Sequence, residues 1–355
     1  GGRHRATGIS ISNKGYIGLG HINGTGIETY YSDWWEYDPA NDIWTQKADF
    51  IGNNGQGALD VNGIEIDGVG YFSGGLLDAF SFYSYNPELN VWAQVSDMPR
   101  PTIGESPSSY SNYGLYFEPQ YDSVYVYDSQ NDIWSAPVEL QVPTNGNWYP
   151  IFDLNGNWYF FNFQPGFISD LWVLDPVLET WQYLNSDFPD TLWFPSSSNY
   201  LNKGLIINGD GTNENKVFYF DPIDNSWGQL ENFPGSNRYL AVSFDLFGVP
   251  YFGTGTNGTN FSDFWKLNDV TGLANDSQSL NVHVYPNPSS NKIVFNFENV
   301  KNFNLKIYSN DGVLVRQMNS AQSKLSFYRG NLVNGQYYYQ VSTNSESLSG
   351  SFVLN

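Results

Sequence analysis

The sequence predicts an all-β chain: six radially arranged sheets of four strands over residues 1–268, then a small β-sandwich over residues 280–355. Three observations lead there. A string of aromatic, acid, proline, short polar run and tryptophan returns at a period of about 46 residues. Aromatics make up 18% of the chain and charged residues only 14%, a profile of short strands joined by tight turns. Asn-Gly, Asp-Gly and related dipeptides fall between apolar runs, where hairpins need residues that accept positive φ.

The recurring strings are YDPANDIW (37–44), YNPELNVW (85–92), YDSQNDIW (127–134), LDPVLETW (174–181) and FDPIDNSW (220–227). Their tryptophans, Trp44, Trp92, Trp134, Trp181 and Trp227, follow one another at steps of 48, 42, 47 and 46. An Asp or Asn at the first turn position caps its own backbone and Pro at the next presets φ, so each string reads strand, turn, strand. Upstream of each lies a second hairpin signal, NKGYIGLG (13–20), DGVGYFSGG (67–75), NYGLYFEP (112–119), NGNWYFFN (155–162) and NKGLIING (202–209), and a sixth, FGVPYFGTG (247–255), follows the last string. Two hairpins per period make one four-stranded antiparallel sheet. Sheets of this size repeated radially are propeller blades, and the radial arrangement shields their edges. Burying a tryptophan removes about 150–250 Å² from water, a few kcal/mol at about 25 cal/mol per Å². The five tryptophans are expected to cement blade to blade.

A sixth unit starts at Gly235 and runs to Asn268 without an Asp-Pro turn or a following Trp. Its blade is expected to be one strand short. The first unit opens on its innermost strand, RATGISIS (5–12). The expectation is that residues preceding Gly1 carry a Trp-bearing strand that completes the last blade.

An apolar hairpin ending in Gly, a Tyr-Asp-Pro turn and a Trp on the outer strand resemble the kelch repeat, over roughly residues 3–270. The glycine pair is intact at Gly74-Gly75 and loosened at Gly18-Leu19-Gly20 and Gly253-Thr254-Gly255. The resemblance implies a six-bladed kelch-type β-propeller.

Residues 269–279 (DVTGLANDSQS) are small and polar and read as a linker. Beyond them, alternation in Ile293-Val294-Phe295-Asn296-Phe297 and a turn at Asn310-Asp311-Gly312 suggest an Ig-like β-sandwich. Four ordered motifs of this segment resemble the C-terminal sorting domain of the Bacteroidetes type IX secretion system. They are Tyr285-Pro286-Asn287-Pro288, Leu305-Lys306-Ile307-Tyr308 with Asp311-Gly312, Asn334-Gly335-Gln336-Tyr337, and Gly350-Ser351-Phe352-Val353. The resemblance implies engagement by the type IX machinery, passage through the outer membrane and removal of the domain. The protein would then be secreted or attached to the outer cell surface. On its residues alone the segment also fits an Ig-like adhesion module.

Composition excludes several chemistries. The formal charge is −21, so nucleic acid and anionic membranes are unsuitable partners. With no cysteine, a thiolate nucleophile, a cysteine-ligated zinc site and disulfides are impossible. Three histidines, His4, His21 and His283, stand far apart in the sequence, and a His-rich metal site is not expected. No apolar run reaches the length of a bilayer span. Kelch propellers include the galactose oxidase family, whose copper site needs a Cys joined to a Tyr; this chain has none. No metal or other cofactor is expected. A calcium-like loop, NGDGTNENK (208–216), lacks the full oxygen-ligand pattern.

Arg5, Arg100 and Arg238 fall where inner strands begin, and Trp148 and Trp193 occupy the matching places in two other units. These starts converge at one mouth of the central channel. Guanidinium groups with aromatic faces suit a sugar or an anionic glycan. The leading expectation is therefore a binding module for a glycan or protein ligand. An alternative is a carbohydrate-active enzyme, sialic-acid epimerase-like or hydrolytic, that uses a residue such as Glu105. A second is an architectural part of a larger surface protein.

Overall fold

The computed structural model describes the chain apart from residues 13, 25–26, 102–107, 111–112, 119–122, 137, 140–146, 155–156, 164–169, 176–179, 186–187, 191–194, 201–202, 208–214, 247–248, 268–280, 299–302, 310–313, 321–322 and 344–346. It divides into two compact units, Gly1–Gly272 and Leu273–Asn355. Both are built from small antiparallel sheets, with no α-helix among the described residues.

Among the described residues the first unit holds six sheets of three to five strands in chain order, beside one two-stranded hairpin, each strand pairing mainly with its sequence neighbours. The first joins Thr7–Ile11, Lys14–Gly18, Trp34–Asp38 and Ile43–Gln46. The second joins Gly63–Ile66, Val69–Ser73, Phe82–Asn86 and Val91–Val95. The third runs Ser108–Tyr110, Tyr113–Glu118, Ser123–Asp128 and Ile133–Trp134, with Val138–Glu139 also alongside Ser123–Asp128. The fourth has Asn147–Leu154, Asn157–Phe163, Asp170–Asp175 and Thr180–Asn185. Ser196–Tyr200, Lys203–Ile207, Val217–Asp221 and Ser226–Gln229 make the fifth. The sixth has three strands among the described residues: Val242–Leu246, Val249–Gly253 and Phe264–Lys266. A separate hairpin, His21–Gly24 with Ile27–Tyr30, rises from the first sheet's second connection.

First strands of successive sheets stand side by side, giving a propeller-like arrangement. Thr7–Ile11 lies between Gly63–Ile66 and Val242–Leu246, and the latter also neighbours Ser196–Tyr200. Hydroxyls stitch these strands where no backbone ladder exists. Thr7 donates to the Val61 carbonyl (2.7 Å), Ser196 to Ala241 (2.9 Å), Ser243 to Ser197 (2.5 Å) and Ser10 to Asp245. The first and last sheets share one core, in which Ile17 and Tyr37 pack with Val242, Phe244 and Tyr251.

The recurring string explains this packing. In three of the turns the first acid accepts from the backbone ahead of it: Asp38 from Ala40 (3.0 Å), Asp128 from Gln130 (3.0 Å), Asp221 from Ile223 (3.0 Å). The residue two before the Trp is left-handed: Asp42, Asn90, Asp132 and Asn225 have φ of 55°, 54°, 53° and 58°. Asp and Asn tolerate that region better than other side chains. In three strings its side chain accepts from the tyrosine opening the string: Tyr37 to Asp42 (2.9 Å), Tyr85 to Asn90 (3.0 Å), Tyr127 to Asp132 (2.8 Å). The Trp then leans on the preceding sheet. Trp92 meets Trp34 and Phe50, Trp134 meets Phe82, Trp227 meets Phe188, and Trp44 meets Phe264 of the sixth sheet. Trp181 lies against Phe160 within its own sheet.

In the second unit, a sheet of Asn281–Tyr285, Lys292–Glu298 and Lys324–Tyr328 accompanies one of Leu314–Ser320, Phe303–Tyr308, Gly335–Ser342 and Ser347–Leu354. Ile293, Phe295 and Phe297 from the first meet Leu305, Ile307, Tyr339 and Phe352 from the second in one core. The apolar residues alternate because each strand buries one face only. Gly350 is required opposite its register partner Tyr339, whose ring occupies the space a Cβ would take.

Candidate functional site

The entrances to the inner strands are built from left-handed residues and glycine loops. Arg5, Asp60 and Leu240 precede the first strands of the first, second and sixth sheets, and all three have φ of 54°. The Asp60 amide donates to the Arg5 carbonyl (3.2 Å) and the Arg5 amide to the Leu240 carbonyl (3.1 Å). Left-handed backbone costs a non-glycine residue about 1–2 kcal/mol, so the neighbouring contacts must hold it. The glycine loops supply them. Gly20 donates to Ala58 (2.7 Å) and Gly255 to Arg3 (2.8 Å), each loop gripping the chain that enters the next sheet. Gly20 has φ of 79°, and a Cβ there would strike the His4 carbonyl and Ala6.

Two arginines lock these entrances from beneath, and one corrects an expectation. Arg238 does not present its guanidinium at the mouth. It is 2% exposed, forms a two-pronged pair with Asp263, donates to the Thr254 carbonyl (3.1 Å) and lies 4.1 Å over the Phe261 ring. Arg3 repeats this arrangement in the first sheet, pairing with Asp33, donating to Leu19 (3.0 Å) and lying 4.1 Å over Tyr31. In both cases an indole completes the carboxylate: Trp35 on Asp33 (2.8 Å) and Trp265 on Asp263 (2.7 Å). Burial works against ionisation of both acids. The arginine and indole donors outweigh it and hold both carboxyls below the usual range.

Arg5 is different. Its guanidinium pairs with Asp60 while its side chain stays 32% exposed. Arg100 is exposed and its Nε donates to the Tyr125 hydroxyl (3.1 Å). Trp148 lies in the strand Asn147–Leu154, but its side chain is not among those described; Trp193, Glu105 and the calcium-like loop's residues 208–214 lie outside the described residues. The structure therefore brings the Arg5 and Arg238 backbones to adjacent entrances while their guanidinium groups serve different carboxylates.

Sequence reasoning missed two features. His4 and His21 are directly opposite one another in an isolated antiparallel bridge, His4 N–H to His21 O at 3.1 Å and the reverse at 3.0 Å. Their rings are 4.2 Å apart, both are buried, and Tyr30 stacks on His21 at 5.8 Å. Burial lowers both imidazole pKa values, helped by the Arg5 charge. The second feature is acid in the inner strands. At the register position of Ser10, the second and sixth sheets carry Glu65 and Asp245. Burial raises Glu65, against a hydrogen bond from the Gly68 amide, and pushes Asp245 up to about 6.

Residues 283–355 match the secretion system C-terminal sorting domain family. Together with the motifs at Tyr285–Pro288, Gly335 and Gly350, this establishes a type IX sorting tail: the protein is exported by that machinery and is secreted or resides at the cell surface. No curated protein matches the sequence. Among solved structures, the chain is similar to a fungal alcohol oxidase of the AA5 family in complex with copper. The TM-score is 0.59 at 12% identity, covering 99% of this chain and 97% of that one. It is also similar to YjhT, at a TM-score of 0.57 and 16% identity, over 74% of this chain and 94% of that one. At these identities the likeness concerns the fold. Among the described residues no helix is long and apolar enough to cross a membrane.

Proposed function

We propose that the first unit is a six-bladed kelch-type β-propeller acting as an extracellular binding module, carried to the bacterial surface by an Ig-like sorting sandwich. The ligand class that fits is a glycan. One observation carries this reading: Arg5 and Asp60 form a partly exposed pair on strained backbone at the entrances to two adjacent inner strands. Backbone held away from its resting conformation at a surface opening is characteristic of binding sites. A guanidinium beside a carboxylate offers donors and acceptors together, as adjacent sugar hydroxyls require. Arg100, Trp148 and Trp193 extend the same proposed rim; Arg238 supports it from below.

The test is a glycan array probed with the full chain and with Arg5→Asn, since asparagine tolerates the left-handed backbone at that position. The reading expects a restricted set of glycans to bind the parent and to lose at least ten-fold in affinity for the variant. Equal binding by both, or binding of none with capture of a protein ligand instead, would remove the glycan assignment.

A further inference from the structure

The His4–His21 bridge carries a consequence of its own. Residues directly opposite in an antiparallel pair project their side chains to the same side, with Cβ atoms about 4.5–5.5 Å apart. The chain thus sets two imidazoles against each other using backbone hydrogen bonds alone. Each also has an acceptor at its Nδ1. For His4 it is Asn260 Oδ1 at 2.7 Å, so Nδ1 holds the proton and Nε2 keeps its lone pair. For His21 it is the Glu28 carboxylate at 3.6 Å, just beyond hydrogen-bond length. Neither ring nitrogen of His21 has a hydrogen-bond partner, although the residue is only 5% exposed. A buried polar group left in that state is destabilising, and coordination of an ion removes the cost.

We propose that His4 and His21 form a two-imidazole site for a divalent transition-metal ion of borderline softness, bound through the two Nε2 atoms. Metal-binding histidines characteristically donate their other ring N–H to a carbonyl or carboxylate, the role that Asn260 fills for His4, while Glu28 stands 3.6 Å from Nδ1 of His21. Ligand nitrogens about 2 Å from a shared ion stand roughly 3 Å apart, a separation that rings 4.2 Å apart can present with little adjustment. The charged groups around the pair are Arg5, which pairs with Asp60, and the carboxylate of Glu28. Among the described residues no set of three His, Asp or Glu side chains can hold an ion. The two nitrogens therefore leave further coordination positions for water or a bound ligand. The site rests on this geometry and not on glycan recognition by Arg5.

Zinc(II) is the probe, titrated calorimetrically into the chelator-stripped full chain at pH 7.5, with magnesium as the comparison ion. One zinc per chain is expected, with no magnesium uptake. Affinity should fall at least ten-fold in His4→Ala and in His21→Ala, several-fold in Asn260→Ala, and not at all in His283→Ala. Because removal of a buried ring can unfold the entrance, zinc-edge X-ray absorption of the parent protein counts imidazole ligands independently. Two imidazoles support the site. Fewer than two, the absence of saturable zinc uptake, or unchanged affinity in a folded His21→Gln variant would overturn it.

Discussion

The Trp92 indole donates its N–H to the carbonyl of Ala48 at 2.9 Å, tying the second sheet to the chain that leaves the first. Trp134 makes the same bond to Ser96 at 3.0 Å. The left-handed residues of the two turns reinforce it, Asn90 accepting from the Ala48 amide and Asp132 from the Ser96 amide, both at 2.8 Å. In these two units the repeated string is thus a clip between sheets, and tryptophan stands at its end because one side chain both fills and bonds the gap.

The clip gives a graded expectation. Trp92→Phe loses the hydrogen bond and part of the ring, for about 1–2 kcal/mol. Trp92→Ala opens a cavity among Trp34, Phe50 and Phe72 and should cost about 3–5 kcal/mol. Trp44 is 36% exposed where Trp92 is 6% exposed, so Trp44→Ala should cost clearly less. Urea unfolding of the three variants checks the order; equal losses at the two tryptophans would contradict the assigned roles.

Arg238 and Asp263 make a second test. Arg238→Met keeps an apolar chain against Phe261 but strands the carboxylate, and breaking such a pair is expected to cost about 3 kcal/mol. Adding Asp263→Asn should recover part of it, since the two changes share one interaction. The pH dependence has a definite sign. Asp263 titrates lower when folded than when unfolded. Its contribution is therefore present above the unfolded carboxyl value, near 3.9, and is lost as pH falls through the folded one. Double-mutant unfolding at pH 7 and at pH 3 should show the coupling shrink.

Asp245 behaves oppositely. Burial pushes its carboxyl up to about 6, so the folded protein retains a proton that the unfolded chain releases near 3.9. The resulting penalty is absent below that value, grows from about pH 4 to 6 and is complete above. Asp245→Asn should therefore stabilise the protein at pH 8, by up to about 3 kcal/mol, and leave it unchanged at pH 3.5. Thermal melts at the two pH values separate this from a pH-independent packing effect.

How far the sequence could be read depends on whether function or geometry shaped each residue. The hairpin at Asp67-Gly68 and the turn at Asp38 were legible because turn chemistry is local: residues a few positions apart make their own bonds. The partner of each tryptophan was not, because it belongs to another repeat. Arg238 was misjudged for a related reason. A basic residue at a strand entrance looks exposed in a sequence, and only the fold brings Asp263 and Phe261 around it. The His4–His21 pair shows the same limit. Nothing local joins them; the bridge exists because the glycine loop after Gly18 folds back over the entrance. The left-handed Asp or Asn two positions before four of the five tryptophans, Asp42, Asn90, Asp132 and Asn225, stands in the sequence, but its part in joining one sheet to the next shows only in the fold.

The sorting tail offers a last expectation, on export itself. Asn287, between Pro286 and Pro288, accepts from the Val353 amide at 2.9 Å and donates to the Ser351 carbonyl at 3.4 Å. Its amide thus acts as a short strand partner for the final strand, Ser347–Leu354, beside the bridge from Ser289 to Leu354. Arg329 closes the same region by donating to the Asn355 carbonyl at 2.8 Å. Two motifs far apart in sequence are one structural element. Asn287→Ala should leave the core of Phe295, Tyr339 and Phe352 intact, costing about 1 kcal/mol, while loosening the last strand. Amide exchange of residues 351–354 should accelerate at least ten-fold with the rest of the unit unchanged. If the machinery reads this strand in its docked form, protein recovered outside the cell should fall in the same variant. Accelerated exchange with undiminished export would show that the clip serves stability alone.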